Sequence, residues 1–256
     1  MNFADLDLTI LLPAFVAGLL VVATHVPLGI QVLNRGIVFI DLAIAQIAGC
    51  GVILANLLGM EAQGWLVQIS ALVAALAGAL LLTWTEKHWP EVQEAIIGTV
   101  FVLGASGAIL MLSVEGRHHQ GAEHLKELLV GQILWVDWQT VAIVGVVYAI
   151  LLALWFGVGL ARLKRAGFYA VFACAVTASV QLVGLYLVFA TLIVPALATR
   201  RLQKRRLIVA YAVGAAGYAL GLIVSALTDW PSGPAVVWVM TLLAVGLFAW
   251  RPVRAA

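Results

Sequence analysis

Long apolar stretches, separated by short polar breaks, run through most of the chain. Within each stretch the apolar positions are nearly continuous, without the alternation of polar and apolar residues that the strands of a membrane β-barrel show. Because only helices and closed barrels satisfy their backbone hydrogen bonds in lipid, the pattern predicts membrane-spanning helices. The stretches lie at about 8 to 33, 36 to 59, 64 to 85, 92 to 114, 138 to 160, 168 to 199, 207 to 227 and 232 to 250.

The composition agrees with this pattern and excludes a soluble protein. Of the 256 residues, 64% are apolar, 14 are basic and 12 are acidic, whereas a soluble domain of this length carries about 64 charged residues. At about 20 residues per span, the chain has room for roughly eight or nine transmembrane helices and no separate aqueous domain. We therefore expect an all-α, polytopic integral membrane protein in which residues 1–256 form a single transmembrane domain.

The sequence also lacks the G-x-x-x-x-G-K-[ST] motif of the P-loop, so this chain does not bind ATP in the P-loop manner. The sequence also shows neither an H-E-x-x-H pattern nor a triad-like set of residues, so we do not expect an enzyme, and we expect no cofactor in this chain and no nucleic-acid partner.

The basic residues predict which helix ends face the cytoplasm. If Arg35, Lys87 and the clusters at 162–165, 200–206 and 251–254 face inward, 12 of the 14 basic residues are cytoplasmic, as the positive-inside rule prefers. The stretch 168–199 then has basic residues on both sides, so it enters and leaves the membrane on the same face.

The 32 residues of this stretch are too few for two full spans of about 20 residues each. The simplest solution is a re-entrant pair of short helices that meet at Val183 and Gly184. Irregular backbone at membrane depth is tolerated only where it is buried in protein or lines a cavity, so we expect Gly184 and Pro195 to shape a translocation path. The alternative is one tilted helix over the whole stretch.

A few polar residues lie within the apolar stretches. Asp41 is the one acidic residue predicted well inside a span, and an intramembrane acid is functional by default. Gln46 follows in the same stretch, and His25 lies at a similar depth on the preceding one, so all three are candidate contacts for a transported cargo. The alternatives are a salt bridge or helix cap made by Asp41 near Arg35, and a buried His25 that bonds a carbonyl freed by Pro27.

A long loop, predicted to lie outside the cell, is rich in histidine. His118, His119 and His124 stand beside Glu115 and Glu123, and imidazole with carboxylate is a plausible ligand set for a divalent ion such as zinc. The spacing matches no closed tetrahedral site, so a solvated loop of incidental composition is an equal alternative.

The cytoplasmic segment 199–207 carries five positive charges, among them Arg200, Arg201, Lys204 and Arg205. Topological anchoring explains such a cluster. A short basic helix at the membrane face would also offer a docking surface to a soluble motor subunit.

Four motifs occur in order along residues 10 to 250. They are Arg35-Gly36 with Phe39, Asp41 and the Gly49/Gly51 pair; Lys126 to Leu134; Val183-Gly184-Leu185 through Ile193-Val194-Pro195-Ala196; and Ser225 with Asp229 to Pro234. In these motifs the chain resembles the permease subunits of ATP-binding-cassette (ABC) importers for zinc, manganese or iron.

The resemblance implies a type II ABC importer permease fold, similar to that of vitamin and siderophore importers. It also implies a multi-pass protein of the inner (cytoplasmic) membrane, paired with a second permease copy as a homodimer. Two cytoplasmic ABC ATPase subunits would hold ATP and magnesium, and an extracytoplasmic binding protein would deliver the metal. The segment 199–207 would then couple the permease to the ATPase.

The chain departs from this family at one position that matters. Family members usually carry an Asp and a His four residues apart on the second helix, where Leu42 and Gln46 stand here, and Asp41 is displaced by one residue. Glutamine is a poor zinc ligand, so the metal site would use Asp41 with His25 or Cys50. The alternatives are a permease for a metal chelate or vitamin and, from another class, a secondary transporter.

Overall fold

The computed structural model describes residues 8–60, 64–114, 133–158 and 165–250. These residues form nine α-helices joined by turns and contain no β-strand, which confirms the all-helical prediction. The helices are α1 Leu8–Arg35, α2 Ile40–Leu57, α3 Trp65–His88, α4 Gln93–Val114, α5 Trp138–Ala153, α6 Arg165–Val183, α7 Leu185–Ala198, α8 Arg206–Thr228 and α9 Ser232–Trp250.

Six helices in the described part of the chain are long and apolar enough to cross a membrane. They are α1, α2, α3, α6, α8 and the segment Trp138–Gly157, which joins α5 to a π-helical turn. The apolar helices Leu185–Ala198 and Ser232–Leu247 are shorter. The protein is therefore a multi-helix membrane protein, and the finer count of eight or nine transmembrane helices stays a prediction.

The stretch 168–199 is broken at the predicted position. Gly184 has φ = +83°, a backbone conformation that side-chain-bearing residues rarely adopt, and it separates α6 from α7. A single tilted helix is therefore not formed. The 19 residues of α6 extend about 28 Å, enough to cross the hydrocarbon core, whereas the 14 residues of α7 extend only about 21 Å. The re-entrant path of the pair stays a prediction.

The helices group into two compact units. The first unit contains α1, α7, α8, α9 and the part of α5 up to Tyr148. The second unit contains α2, α3, α4, the rest of α5 and α6 as far as Gln181.

Small residues let the helices of the first unit approach closely. A Cβ on Gly29 of α1 would overlap the carbonyl oxygen of Leu192 in α7, so these two backbones are in direct contact. On the same face of α1, Gly18 lies under the ring of the buried Tyr218 of α8, whose hydroxyl bonds the Thr191 hydroxyl at 3.0 Å. Such close approach supplies the dispersion contacts that hold helices together in lipid.

Pro27 interrupts the backbone hydrogen bonds inside α1. It has no amide hydrogen, so the carbonyl of Ala23, four residues earlier, loses its helical donor. The Tyr211 hydroxyl of α8 donates to this oxygen at 3.1 Å. The carbonyl freed by the proline is therefore satisfied from a neighbouring helix.

In the second unit, a buried amide network joins three helices. Gln93, at the start of α4, accepts a hydrogen bond from the Thr85 hydroxyl at 3.0 Å and donates to the Leu82 carbonyl at 3.0 Å. The same amide donates to the Tyr169 hydroxyl of α6 at 3.3 Å. These bonds fix the start of α4, which bears on the candidate site because Glu94 is the next residue.

Candidate functional site

The structure places Asp41 at the start of α2 rather than well inside it. The chain turns through Gly36, which has φ = +70°, and α2 begins only at Ile40, with Phe39 as its N-cap. The sequence prediction that Asp41 lies well inside the span was wrong, because an apolar run does not show where this turn ends, and the alternative of a position near the helix end is the one observed. Asp41 is nevertheless fully buried, so an acidic group does lie inside the protein here.

No hydrogen bond reaches either carboxylate oxygen of Asp41 from the described residues. The helix cap considered from the sequence is not made, because the N-cap is Phe39 and no side chain caps this end. A buried polar group without a partner is costly and is uncommon away from functional sites. Among the described residues, Asp41 is the buried acid of which both carboxylate oxygens lack a hydrogen-bond partner.

Glu94 of α4 lies beside Asp41, and the sequence analysis missed it. The Phe39 amide donates to Glu94 Oε1 at 3.2 Å, while Glu94 Oε2 is buried without a hydrogen-bond partner. Because Phe39 comes two residues before Asp41, this bond holds the Glu94 carboxylate at the start of α2. Glu94 stands at the edge of an apolar stretch, where an acidic residue usually lies at a solvated helix end. Its position near Asp41 becomes visible only from the packing of α2 against α4.

Gln46 and Cys50 lie farther along the same helix pair. They are four residues apart on α2 and share a face. A Cβ on Gly104 of α4 would lie 2.9 Å from the Gln46 Cβ, and the Cys50 thiol donates to the Gly104 carbonyl at 3.2 Å. Since the starts of both helices meet at Phe39 and Glu94, α2 and α4 run in the same direction.

We call this arrangement the α2–α4 seam. It consists of Gln46 and Cys50 on α2 with Gly104 on α4, and it begins where the Phe39 amide meets Glu94. Two of the four residues predicted as cargo contacts therefore lie along one helix interface of the second unit, while Asp41 lies at the start of the same helix on a different side of it. Their oxygen and sulfur atoms are the kinds of donor that bind divalent metals.

His25 belongs to the first unit, where it is fully buried in α1. Its Nδ1 lies 3.0 Å from the Thr24 hydroxyl and 3.2 Å from the Val21 carbonyl. With the proton on Nδ1, the Val21 carbonyl accepts it and the lone pair lies on Nε2, which has no partner among the described residues. In the same way, a metal-binding imidazole binds the metal through one ring nitrogen while its other ring nitrogen donates a hydrogen bond. The alternative in which His25 bonds the carbonyl freed by Pro27 is not observed, because Tyr211 bonds that carbonyl.

The predicted loop ligands cannot be placed. His118, His119 and His124 lie outside the described residues. Within the described part of the chain, no group of three or more His, Cys, Asp or Glu residues is arranged to hold a metal ion. A closed, high-affinity metal site is therefore not built from these residues alone.

The basic segment between α7 and α8 is a series of turns. The short helix considered from the sequence is not formed: α7 ends at Ala198, α8 begins at Arg206, and Arg205 is left-handed with φ = +62°. Adjacent like charges disfavour a helix here. The side chains of this segment proposed to couple to a motor are all exposed, namely Arg200, Arg201, Lys204 and Arg205.

The segment is firmly attached to α7. Both the backbone amide and the hydroxyl of the buried Thr199 donate to the Pro195 carbonyl, at 3.2 and 2.8 Å. A force applied to the exposed turn would therefore be transmitted to the end of α7.

Comparison with known proteins identifies the family. The model of the ABC 3 transport family (ABC-3) matches residues 7–159 and 157–251. A Haemophilus influenzae protein described as a probable iron transport system membrane protein is 25% identical over 205 residues, which cover 72% of this chain and 71% of that protein.

Two solved structures share the fold. PsaBC from Streptococcus pneumoniae, in complex with a Fab, has a TM-score of 0.73 at 20% identity and covers 98% of this chain and 93% of its own. A protein described as a metal-chelate type ABC transporter, in an inward-facing conformation, has a TM-score of 0.65 at 18% identity and covers 93% of this chain and 84% of its own. At these identities the likeness concerns the fold alone.

Proposed function

The chain belongs to the ABC 3 transport family of membrane permeases, and from this premise we propose that it forms the membrane path of an ATP-driven importer for a divalent transition metal ion. The observation that carries the proposal is the buried carboxylate of Asp41 at the start of α2, whose two oxygens have no hydrogen-bond partner among the described residues. A cation in transit would supply the missing partner. The H. influenzae relative, described as an iron transport protein, supports a metal cargo.

The proposed cargo contacts differ in chemistry. On α2, Asp41 supplies anionic oxygen, Gln46 neutral oxygen and Cys50 sulfur. His25 supplies the Nε2 lone pair that its bond to Val21 leaves available. No three such groups cluster among the described residues, and weak successive contacts suit a pathway because a tightly held ion would not leave.

We further propose that ATP hydrolysis takes place in separate cytoplasmic ATPase subunits that dock on the exposed turn at 199–205. The positive charges there would meet an acidic surface of the ATPase. Thr199 transmits the motion to α7 through its two bonds to Pro195, and α7 touches α1 where Gly29 meets Leu192. His25 lies one helical turn from Gly29, so movement of the ATPase would reach a cargo contact. Gly184, at the other end of α7, would serve as the hinge.

The complete importer would contain two copies of this chain and an extracytoplasmic protein that delivers the cargo, in the inner membrane. The pairing of copies supplies a path at a two-fold axis, the arrangement that closed symmetric assemblies favour.

Charge reversal of the turn tests the coupling. Arg201→Glu with Arg205→Glu should abolish ATP-dependent uptake and weaken ATPase binding to the permease in a pull-down from purified components. Lys87→Glu is the matched control, since Lys87 is exposed at a helix end predicted to face the same side. Unchanged uptake in the double variant would contradict the coupling role.

A metal chelate is the second candidate cargo. The lack of a three-ligand cluster among the described residues favours a metal that brings its own ligands, and one structural relative is described as a metal-chelate type transporter. If an excess of chelator abolishes the uptake of metal, the result supports the free ion as cargo. If uptake requires the chelator, the result supports the metal chelate as cargo.

A further inference from the structure

An apolar groove lies between the C-terminal halves of α7 and α9, and we call it the α7–α9 groove. Its volume of about 410 Å³ is within the range of about 300 to 1,000 Å³ found for small-molecule sites. Both helices belong to the first unit. The helical walls are formed by Val194, Leu197 and Ala198 of α7 with Thr241, Ala244 and Val245 of α9, and Arg200 completes the lining.

The helical walls of this groove suit a hydrocarbon chain. Leu197 and Val245 are 44% and 59% exposed, so the groove opens to the outside of the chain. Thr241 is the one polar residue on these walls, and its hydroxyl already donates to the Val237 carbonyl at 2.7 Å. Water finds no polar partners in such a groove, whereas an acyl chain makes dispersion contacts with its walls.

Arg200 is held at one end of the groove by backbone hydrogen bonds. Its amide donates to the Leu197 carbonyl at 3.2 Å, and the preceding Thr199 donates twice to the Pro195 carbonyl. The Arg200 side chain is exposed, and a guanidinium binds phosphate oxygens through two parallel hydrogen bonds. From Arg200 to Val194 the groove extends about 9 Å along α7, so a phosphate at Arg200 would place an acyl chain against the apolar walls.

The charge around Arg200 selects an anionic head group. The turn at 199–206 carries five positive charges and contains no acidic residue, whereas the C-terminal dipole of α7 contributes only about half a negative charge. The turn is predicted to face the cytoplasm. The cytoplasmic leaflet of a membrane carries anionic lipids, which attract basic segments beside transmembrane helices.

The same charge disfavours a second copy of this chain as the occupant. In a two-fold dimer both copies use the same surface, so pairing through this groove would bring together two turns with five positive charges each. Like charges that face each other across an interface oppose association. An anionic lipid instead neutralises part of the charge.

We propose that the α7–α9 groove binds an acyl chain of an anionic phospholipid whose phosphate pairs with Arg200. The inference goes beyond the proposed function, because it concerns the lipid and not the cargo. It also assigns separate tasks within the basic turn: Arg200 binds the lipid, while Lys204 and Arg205 face the ATPase.

A second groove of the same unit provides an internal control. The α8–α9 groove has a volume of about 660 Å³ and is lined by apolar side chains and glycine, with no charged residue. It would accept an acyl chain without selecting the head group. A preference for anionic lipid should therefore depend on the α7–α9 groove and not on this one.

The test measures which phospholipid the purified full-length chain retains. The chain is placed in nanodiscs that contain equal amounts of phosphatidylglycerol and phosphatidylcholine, and the lipids that stay bound after release from the disc are counted by native mass spectrometry. Arg200→Gln removes the charge at the groove. Lys204→Gln is the matched control, because Lys204 is exposed on the same turn but does not line the groove.

We expect the unaltered chain to retain phosphatidylglycerol in at least about fivefold excess, the effect of one basic side chain beside an anionic membrane surface. Arg200→Gln should remove this excess, and Lys204→Gln should change it by less than about twofold, because salt screens a charge that does not contact the lipid.

Variants that fill the grooves test the acyl chain. Ala244→Phe fills the α7–α9 groove and should abolish the retention of phosphatidylglycerol. Ala212→Phe fills the α8–α9 groove and should leave that retention unchanged. If Ala244→Phe fails to fold, Val194→Phe fills the same groove from its other wall and should have the same effect.

Three results would overturn the inference. The first is equal retention of the two lipids by the unaltered chain, and the second is an unchanged excess in Arg200→Gln. The third is an Ala244→Phe variant that keeps its lipid but no longer forms a dimer, which would assign the groove to a second copy. None of these measurements needs ATP or metal, so a failure of the transport proposal in an uptake assay is a separate result.

Discussion

Replacing Asp41 by asparagine distinguishes what the buried charge costs in stability from what it contributes to transport. The change keeps the shape of the side chain, and neither carboxylate oxygen has a hydrogen-bond partner among the described residues to lose. An acid at the centre of a membrane helix costs about 2.5 to 3.5 kcal/mol. Asp41 lies in the first turn, where the helix dipole stabilises the charge by about 0.3 to 1 kcal/mol, so the net cost here is about 1.5 to 3 kcal/mol.

We therefore expect Asp41→Asn to leave the unfolding free energy unchanged or to raise it by up to about 3 kcal/mol, while ATP-driven metal uptake falls at least tenfold. Stability is measured by thermal unfolding of the purified permease in detergent without metal, and uptake is measured in proteoliposomes that contain the ATPase. A variant that loses more than about 1 kcal/mol of stability, or that transports normally, would refute the reasoning. The first result would mean that Asp41 has a structural partner, and the second that it does not contact the cargo.

Two further predictions concern the backbone. Gly184→Ala should destabilise the permease by about 1 to 3 kcal/mol, because φ is +83° there; Gly49→Ala, at a helical glycine with open space around it, should cost nothing in the same unfolding assay. Tyr211→Phe should cost about 0.6 and at most about 1.7 kcal/mol through loss of its bond to Ala23. In a Pro27→Ala background the loss should be smaller, since the new backbone amide bonds the same carbonyl, and equal losses in both backgrounds would contradict this interpretation.

The helices could be predicted from the sequence because, in a membrane protein, the length of an apolar stretch directly shows whether it can span the membrane as a helix. The observed helices fall within a few residues of the apolar stretches, and the break at Gly184 falls where the basic flanks of 168–199 required one. Both predictions used one-dimensional information: the length of an apolar run and the sign of the charges beside it.

The start of α2 could not be predicted in this way. The turn through Gly36 to Phe39 is apolar in composition, so hydropathy alone assigns it to the helix. As a result Asp41 was placed too far along its helix. Its burial was anticipated, but its position in the first turn depends on a backbone conformation that an apolar run does not encode.

Glu94 escaped the sequence analysis for a different reason. Its position depends on the contact between α2 and α4, which are separated along the chain by the whole of α3. By contrast, Gln46 and Cys50 were found because they share a helix with Asp41. The sequence identified the helix that carries candidate ligands but not the neighbouring helix that packs against it.

The most direct test of the central claim is uptake by the reconstituted complex. The permease and its ATPase partner are placed in proteoliposomes with ATP enclosed and the binding protein outside, and uptake of radioactive manganese, iron and zinc is followed. The account requires ATP-dependent accumulation of at least one of these metals and its loss in Asp41→Asn. Accumulation that is independent of ATP, or unaffected by Asp41→Asn, would contradict it.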